Sequence, residues 1–209
     1  MRLYLSSFRV GAHAGRLLAL SAGRRAALVP NALDGLPADV RGIGLQRDHA
    51  DLGRLGLKVC EVDLRDPDAA ERLSTFDIVW VRGGNVFVLR RVLADTRIDQ
   101  VLTDLIRRDA IVYAGYSAGA CVLAPDLAGF EEVDDITAVA DPVMTGLGVL
   151  DRPFVPHVRS PGHPEMAACD ALAGKYVAEG RAHWAVRDGE VLIVDGDTTE
   201  LLPCDPPRC

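Results

Sequence analysis

Residues 111–120 of the chain read IVYAGYSAGA. The apolar residues that open this stretch are typical of a buried strand, and the pattern Gly115-Tyr116-Ser117-Ala118-Gly119 follows directly. This is the G-x-S-x-G pattern of a nucleophile elbow, in which a strained turn holds a serine hydroxyl above the edge of a sheet. Small residues also permit close packing of a strand against a helix, which is the structural alternative. The stretch therefore predicts a strand, a turn and a helix, with Ser117 as candidate nucleophile.

A second glycine-rich turn lies upstream of the elbow. Residues 81–85, Val81-Arg82-Gly83-Gly84-Asn85, end another apolar run and precede a helical pattern. In open parallel sheets such turns collect at the carboxyl ends of the strands, where ligand sites form. A backbone N–H of this turn can serve as an oxyanion-hole donor beside the N–H of Ala118. A phosphate cradle and a simple tight turn stay open as alternatives, although the sequence matches neither a Walker loop nor a GxGxxG fingerprint.

The rest of the first half favours a parallel α/β sheet. Short apolar runs alternate with longer segments whose apolar residues recur every three or four positions. The predicted strands cover residues 3–5, 26–29, 58–62, 77–81 and 111–116, and the predicted helices cover 40–55, 86–94 and 98–108. A chain of 209 residues suits one domain. We therefore predict a single α/β domain over residues 1–209, three-layered, with a mostly parallel, doubly wound, flavodoxin-like sheet.

The second half contains further strand-like segments at 154–156, 183–186 and 190–194, with a helix expected over 164–177. Asp188-Gly189 lies between the last two strands, and Asp-Gly between apolar runs is typical of a β-hairpin. Residues 202–209 are predicted to form a short tail that contains proline and cysteine.

The composition is that of a globular protein with an acidic surface. The formal net charge is −7, with 30 acidic against 23 basic residues, which argues against a nucleic-acid partner. Charged residues interrupt the apolar stretch near Met1, so neither a membrane span nor a signal segment is expected there. Five cysteines without CxxC spacing favour reduced thiols and no metal site, with Cys204 and Cys209 able to pair under oxidation. We expect a cytoplasmic protein without membrane association, metal or cofactor.

A serine nucleophile needs a general base, which is most often histidine. His157 follows the short apolar run 154–156, so we expect it at a strand end where its ring can meet the elbow. His163 lies farther along, at the expected entry of a helix. Because a lone histidine is often structural, position alone makes His157 a candidate and no more.

The turn at residues 83–85, the elbow segment 113–120 and Pro156-His157 together resemble, in order and spacing, the peptidase E (aspartyl dipeptidase) family, which includes cyanophycinase. That family is similar in fold to the class I glutamine amidotransferases but carries serine where they carry cysteine. The resemblance implies a serine peptidase that acts on short peptides, and it makes a homodimer possible.

The resemblance also implies roles for individual residues. Ser117 would attack the scissile carbonyl, and His157 would take and return the proton. Gly84 and Ala118 would supply the N–H donors of the oxyanion hole.

Two carboxylates can orient the imidazole of His157. Asp188 falls where family members carry a glutamate followed by glycine, whereas Asp135 falls near an aspartate that is also implicated in the family. We favour Asp188 because a tight turn holds a carboxylate more rigidly than an acidic loop does. The alternative for Asp135 is a solvated surface acid.

The candidate substrate-binding residues are Gly83, Asn85, Arg82 and Arg159. Family members that cleave after an N-terminal aspartate use an arginine downstream of the histidine, and residues 157–165 hold no clear equivalent, so strict Asp-Xaa specificity is not expected. Arg159 or Arg82 could take that role. The rival functions are another acyl hydrolase, such as an esterase or a cyanophycinase-like enzyme, and a non-catalytic binding module.

Overall fold

The computed structural model describes residues 1–204, so the suggested partner Cys209 lies outside the described residues. Within that range strands and helices alternate along the chain. The strands are β1 (Arg2–Ser6), β2 (Arg25–Val29), β3 (Lys58–Glu61), β4 (Ile78–Val81), β5 (Val112–Tyr116), β6 (Phe154–Val155), β7 (Trp184–Ala185), β8 (Val191–Asp195) and β9 (Thr198–Leu202). The α-helices are α1 (Ala14–Leu20), α2 (Ala38–Arg54), α3 (Ala69–Leu73), α4 (Val86–Thr96), α5 (Ile98–Arg107), α6 (Ala118–Cys121) and α7 (Met166–Ala178).

Seven strands form one sheet in the order β3-β2-β4-β5-β1-β8-β9. The first five in that order run parallel, whereas β8 pairs antiparallel with β1 and β9 pairs antiparallel with β8. Strands β4 and β5 are neighbours, with Val81 opposite Gly115. The two glycine-rich turns therefore leave the sheet side by side, and the mostly parallel sheet confirms the predicted fold class.

Helices cover both faces of this sheet. Side chains alternate between the two faces along each strand, so Leu3 and Leu5 pack in one hydrophobic cluster and Tyr4 packs in the other. The first cluster includes buried residues of α3, α4, α5 and α7, and the second includes those of α1 and α2. Strands that are buried on both faces read as continuous apolar runs, which explains why the sequence predicted them well. The three-layered arrangement is confirmed.

The predicted hairpin at Asp188-Gly189 is wrong. Strand β7 pairs with β6 in a separate two-stranded parallel sheet, and β8 pairs with β1 and β9. At Asp188 the chain therefore passes from the small sheet to the main one instead of turning back on itself. The hairpin joins β8 to β9 through Gly196, whose φ is 59°. Asp195-Gly196 satisfies the same turn rule, and β9 ends at Leu202, the residue at which the predicted tail begins.

The longest helix, α2, contains 17 residues, and its Asp48 accepts a 2.6 Å hydrogen bond from Arg82 of the glycine-rich turn at residues 81–85. Its apolar residue Leu52 is buried in the core, while Asp48 and Asp51 are also buried and pair with arginines. Among residues 1–204, no helix combines the length and the apolar character that crossing a membrane requires.

Candidate active site

Ser117 occupies a strained turn between β5 and α6. Its φ of 48° and ψ of −121° lie in a backbone region that residues other than glycine rarely adopt. Gly119 makes the turn possible, because a β-carbon there would overlap the carbonyl group of Val81. The serine is 9% exposed and lies at the amino end of α6. The strand, turn and helix therefore follow one another as the elbow pattern predicted.

The second glycine turn lies directly beside this serine. A β-carbon at Gly83 would stand 3.0 Å from the β-carbon of Ser117, which measures how closely the two turns approach. Gly84 has a φ of 149°, and a β-carbon there would collide with the carbonyl of Ala32, so the position requires glycine. The N–H of Ala118 opens α6, and the first N–H groups of a helix have no intrahelical acceptor. Both expected oxyanion donors therefore flank Ser117.

The two turns, Ser117 and the candidate base share one pocket of about 180 Å³. Its walls include Ser117, His157, Gly83, Gly84, Arg82 and Glu165. Phe8 and Arg9 line both this pocket and a second one of about 410 Å³. Among residues 1–204, no direct hydrogen bond joins the side chains of Ser117 and His157. Such bonds are often long before substrate binds and tighten only in the complex.

His157 follows β6 and is held by Asp188. The ring is 1% exposed, and its Nδ1 lies 2.7 Å from Oδ1 of Asp188. An Nδ1–H that donates to this carboxylate leaves Nε2 as the unprotonated nitrogen. Burial alone would raise the pKa of Asp188, yet hydrogen bonds from His157 and Ser7 hold it below its usual value. Asp188 is therefore ionised at neutral pH and can fix the ring's tautomer.

Two serines hold the acid and the histidine together. Ser7 donates a 2.7 Å hydrogen bond to Oδ1 of Asp188 and accepts one of 2.7 Å from the backbone N–H of His157. The backbone N–H of Asp188 donates to the hydroxyl of Ser160 at 2.8 Å. The sequence analysis did not identify Ser7. A serine that directly follows a buried strand lies at the carboxyl edge of the sheet, and this position could have marked it as a candidate site residue.

Asp135 and Arg159 occupy other surroundings. Asp135 is exposed and accepts hydrogen bonds from the N–H and hydroxyl of Thr137, which lower its pKa. Arg159 is exposed, and its backbone N–H donates to Asp170 at 2.7 Å. Neither Asp135 nor Arg159 is among the described residues that line the pocket. Asp135 therefore does not lie where it could orient His157. Arg159 likewise lies outside the pocket in which it was predicted to bind substrate.

The side chain of Asn85 caps a helix and does not take the substrate-binding role that the sequence predicted. Its side-chain oxygen accepts hydrogen bonds from the N–H groups of Phe87 and Val88, so it caps α4. Its side-chain nitrogen donates to the carbonyl of Asp135 at 2.8 Å. Both ends of the amide are therefore engaged. An Asx cap after the glycine turn was recognisable from the sequence, because Asn directly before an apolar helix is a preferred N-cap.

Arg82 lines the pocket as expected, but its charge is already paired. Its Nε donates to Asp48 at 2.6 Å, and Nη2 donates to the hydroxyl of Tyr116 at 2.9 Å. Burial raises the pKa of Asp48, although the Arg82 guanidinium opposes that rise. Arg9, which also lines the pocket, is paired with Asp51 at 2.6 Å. These two arginines are consequently less able to bind a substrate carboxylate than unpaired guanidinium groups would be.

His157, His163 and Glu165 form the one group of three possible metal ligands found among the described residues, with ligand atoms within 4.8 Å of one another. The two imidazole rings are stacked, with centroids 3.5 Å apart and planes 6° from parallel. An ion bound in the plane of one ring at about 2.0 Å would lie far out of the plane of the other. The present ring geometry therefore does not fit a shared ion.

Asp134 ties the loop after α6 to the amino end of α4. Its Oδ2 accepts a 2.7 Å hydrogen bond from the N–H of Val86, and burial raises its pKa from 3.8 to about 7. A carboxyl whose pKa is raised by folding stabilises the fold below its unfolded pKa, and this contribution is lost as pH rises through the folded pKa.

We expect the free energy of unfolding to fall by about 2–3 kcal/mol between pH 5 and pH 8 on account of this group. Asp134→Asn keeps an acceptor for Val86 and removes the titration, so it should flatten the profile. Urea denaturation at the two pH values measures the difference, with Asp135→Asn as the matched control that retains the fall. An undiminished fall in Asp134→Asn would contradict this assignment.

Comparison with known proteins agrees with this architecture. The sequence profile of peptidase family S51 matches residues 14–202. Peptidase E of Streptomyces coelicolor is 34% identical over 189 residues, which cover 87% of this chain and 72% of that protein. An uncharacterized peptidase of Listeria monocytogenes is 30% identical over 149 residues, which cover 69% of this chain and 71% of that protein.

Two solved structures share the fold. The crystal structure of a Listeria monocytogenes protein named provisionally as peptidase E has a TM-score of 0.81 at 20% identity, covering 96% of this chain and 97% of that one. A peptidase from an acI-B1 actinobacterium has a TM-score of 0.69 at 16% identity, covering 96% and 86%. At these identities the likeness supports the fold alone. Because the family profile spans nearly the whole chain, this protein belongs to peptidase family S51 and is a peptide-bond hydrolase.

Proposed function

We propose that the chain is a serine dipeptidase of the peptidase E kind, with Ser117 as nucleophile and His157 as general base. The observation that carries this proposal is the 2.7 Å contact between Asp188 and His157, whose side chain lines the same pocket as the strained Ser117. A buried imidazole held by a carboxylate near a serine on an elbow is the arrangement of acyl-transfer enzymes.

The reaction proceeds through an acyl-enzyme. Nε2 of His157 takes the hydroxyl proton of Ser117 as Oγ bonds to the scissile carbonyl carbon, and the N–H groups of Gly84 and Ala118 stabilise the oxyanion. The C–N bond then breaks, and His157 returns the proton to the leaving amine. Water, deprotonated by the same nitrogen, attacks the ester, and the acid product leaves as the proton returns to Ser117. Asp188 stabilises the imidazolium in both halves.

The size and charge of the pocket support short peptide substrates of broad sequence. A volume of about 180 Å³ accommodates a residue or two rather than a folded chain. Arg82 and Arg9 are paired with Asp48 and Asp51, and the third arginine of the pocket, Arg47, is exposed to solvent, so the described residues provide no buried, unpaired guanidinium for an aspartate side chain. We therefore expect Ala-Leu and Met-Leu to be hydrolysed at rates comparable to that of Asp-Leu.

The test combines two measurements on the purified protein. A fluorophosphonate should acylate one residue, which peptide mass spectrometry should locate at Ser117. Amino acid release from Asp-Leu, Ala-Leu and Met-Leu in the presence of EDTA should then rank the substrates. Labelling without release from any dipeptide, together with hydrolysis of p-nitrophenyl acetate, would identify an esterase. Absence of labelling and of turnover would point to a binding module.

A further inference from the structure

Glu165 is the only carboxylate among the described residues that line the pocket. Its Oε2 lies 3.7 Å from Nε2 of His157, the nitrogen that handles the proton in the proposed reaction. We infer that Glu165 binds the free α-ammonium group of the substrate and thereby restricts hydrolysis to the first peptide bond. This inference rests on the proposed serine peptidase function.

The local structure leaves the carboxylate of Glu165 available for a ligand. Glu165 directly precedes α7, where a carboxylate ordinarily accepts the N–H groups of the first helical turn. Its side chain makes no such capping bond. Its backbone N–H donates instead to Nδ1 of His163 at 3.3 Å, and its side chain is 39% exposed. The carboxylate thus forms part of the pocket wall and contributes no bond to the helix end.

Covalent geometry places a substrate ammonium in this neighbourhood. In the first residue of a peptide, the α-nitrogen lies about 2.5 Å from the carbonyl carbon. That carbon must stand about 3 Å from Oγ of Ser117 for attack, and Nε2 of His157 must reach the same oxygen. A cation fixed so close to the reacting atoms falls within reach of a carboxylate that lies 3.7 Å from Nε2.

The charges around Glu165 also favour a cationic ligand. Among residues 1–204, its one ion-pair contact is His157, which carries no charge when it is ready to act as a base. Burial and, after it, the negative charge of Asp188 raise the pKa of Glu165, whereas His157 opposes that rise. A substrate ammonium would give the carboxylate of Glu165 a fully charged partner, which His157 in its neutral form does not provide.

The consequence is a preference for free amino termini. A peptide that extends beyond the scissile residue on its amino side brings a neutral amide, not an ammonium, to Glu165. The carboxylate would then lose water without gaining a cation, which is unfavourable. The enzyme should therefore remove single residues from short peptides and spare internal bonds.

The experiment compares a dipeptide with its N-acetylated form. The substrate is the fastest dipeptide of the panel, and kcat/KM is measured for wild type, Glu165→Gln and Glu179→Gln. Glu179 follows the other end of α7 and is exposed, so it controls for the loss of one negative charge. We expect wild type to favour the free amine by about 100-fold, and Glu165→Gln to lose about 10- to 100-fold on the free amine while changing less than about threefold on the N-acetyl form.

Several results would overturn the inference. An equal loss on both substrates in Glu165→Gln would indicate a general effect on the site, and efficient hydrolysis of the N-acetyl form by wild type would remove the basis for ammonium recognition. Glu165→Asp should recover part of the free-amine preference, which a merely structural role would not produce. If fluorophosphonate labels Ser117 but no amine preference exists, only this inference fails. If Ser117 is not labelled, the proposed function fails and the inference falls with it.

Discussion

Ser117→Ala should lower kcat/KM for dipeptides by about 10⁵- to 10⁶-fold, because the bond that forms the acyl-enzyme can no longer be made. The oxyanion donors and the substrate-binding walls stay in place, so a small residual activity is expected. The side chain of Ser117 makes no hydrogen bond among the described residues, so its removal should leave the melting temperature nearly unchanged. Amino acid release and thermal unfolding provide the two measurements.

The matched control for this variant is Ser74→Ala, an exposed serine at the end of α3. It should hydrolyse dipeptides at the wild-type rate. A Ser117→Ala protein that is folded and retains more than about one hundredth of wild-type activity would show that the nucleophile lies elsewhere.

Asp188→Asn should produce the second-largest loss, about 10³- to 10⁴-fold in kcat/KM. An amide can donate a hydrogen bond to Nδ1 of His157 and so favour the tautomer whose proton lies on Nε2, the nitrogen that must accept the serine proton. The 2.7 Å contact that now fixes the correct tautomer would be replaced by one that fixes the wrong tautomer. The loss should lie mainly in kcat, since the pocket walls are unchanged.

Asp135→Asn is the informative comparison, since it removes the other carboxylate that the sequence offers for this role. Asp135 is bonded to Thr137, so we expect less than about a threefold change. A larger loss in Asp135→Asn than in Asp188→Asn would reverse the assignment.

The fold was largely predictable because its central strands are buried on both faces. Such strands are apolar at every position, as residues 78–81 show, and the helices between them have a clear period. The edge of the sheet was harder to predict. In strand β9 apolar and polar residues alternate only weakly, and several of its residues are exposed. Strand β7 pairs with β6, and the residues of the neighbouring turns do not identify that partner. Asp188-Gly189 resembled a hairpin because two-residue turn signals carry no information about which strands pair.

The site was predictable where a motif carries its own geometry. The elbow at Ser117 and the glycine turn at Gly84 are local, and their backbone angles follow from their residue types. Ser7 lies 150 positions from His157 in sequence, so its bonds to the histidine and to Asp188 depend on the pairing of β1 with β8. Glu165 resembled an ordinary helix-start acid, and only the tertiary structure reveals that its carboxylate faces the pocket.

The candidate catalytic residues follow strands of two different sheets. His157 follows β6 and Asp188 follows β7, whereas Ser117 and Gly84 follow strands of the main sheet. The proposed base and its acid thus follow strands of one sheet and the proposed nucleophile follows a strand of the other, while Ser7, which follows β1 of the main sheet, connects the two through its bonds to His157 and Asp188. A cysteine could therefore replace the serine at position 117 without any change to the strands that position the histidine and its acid.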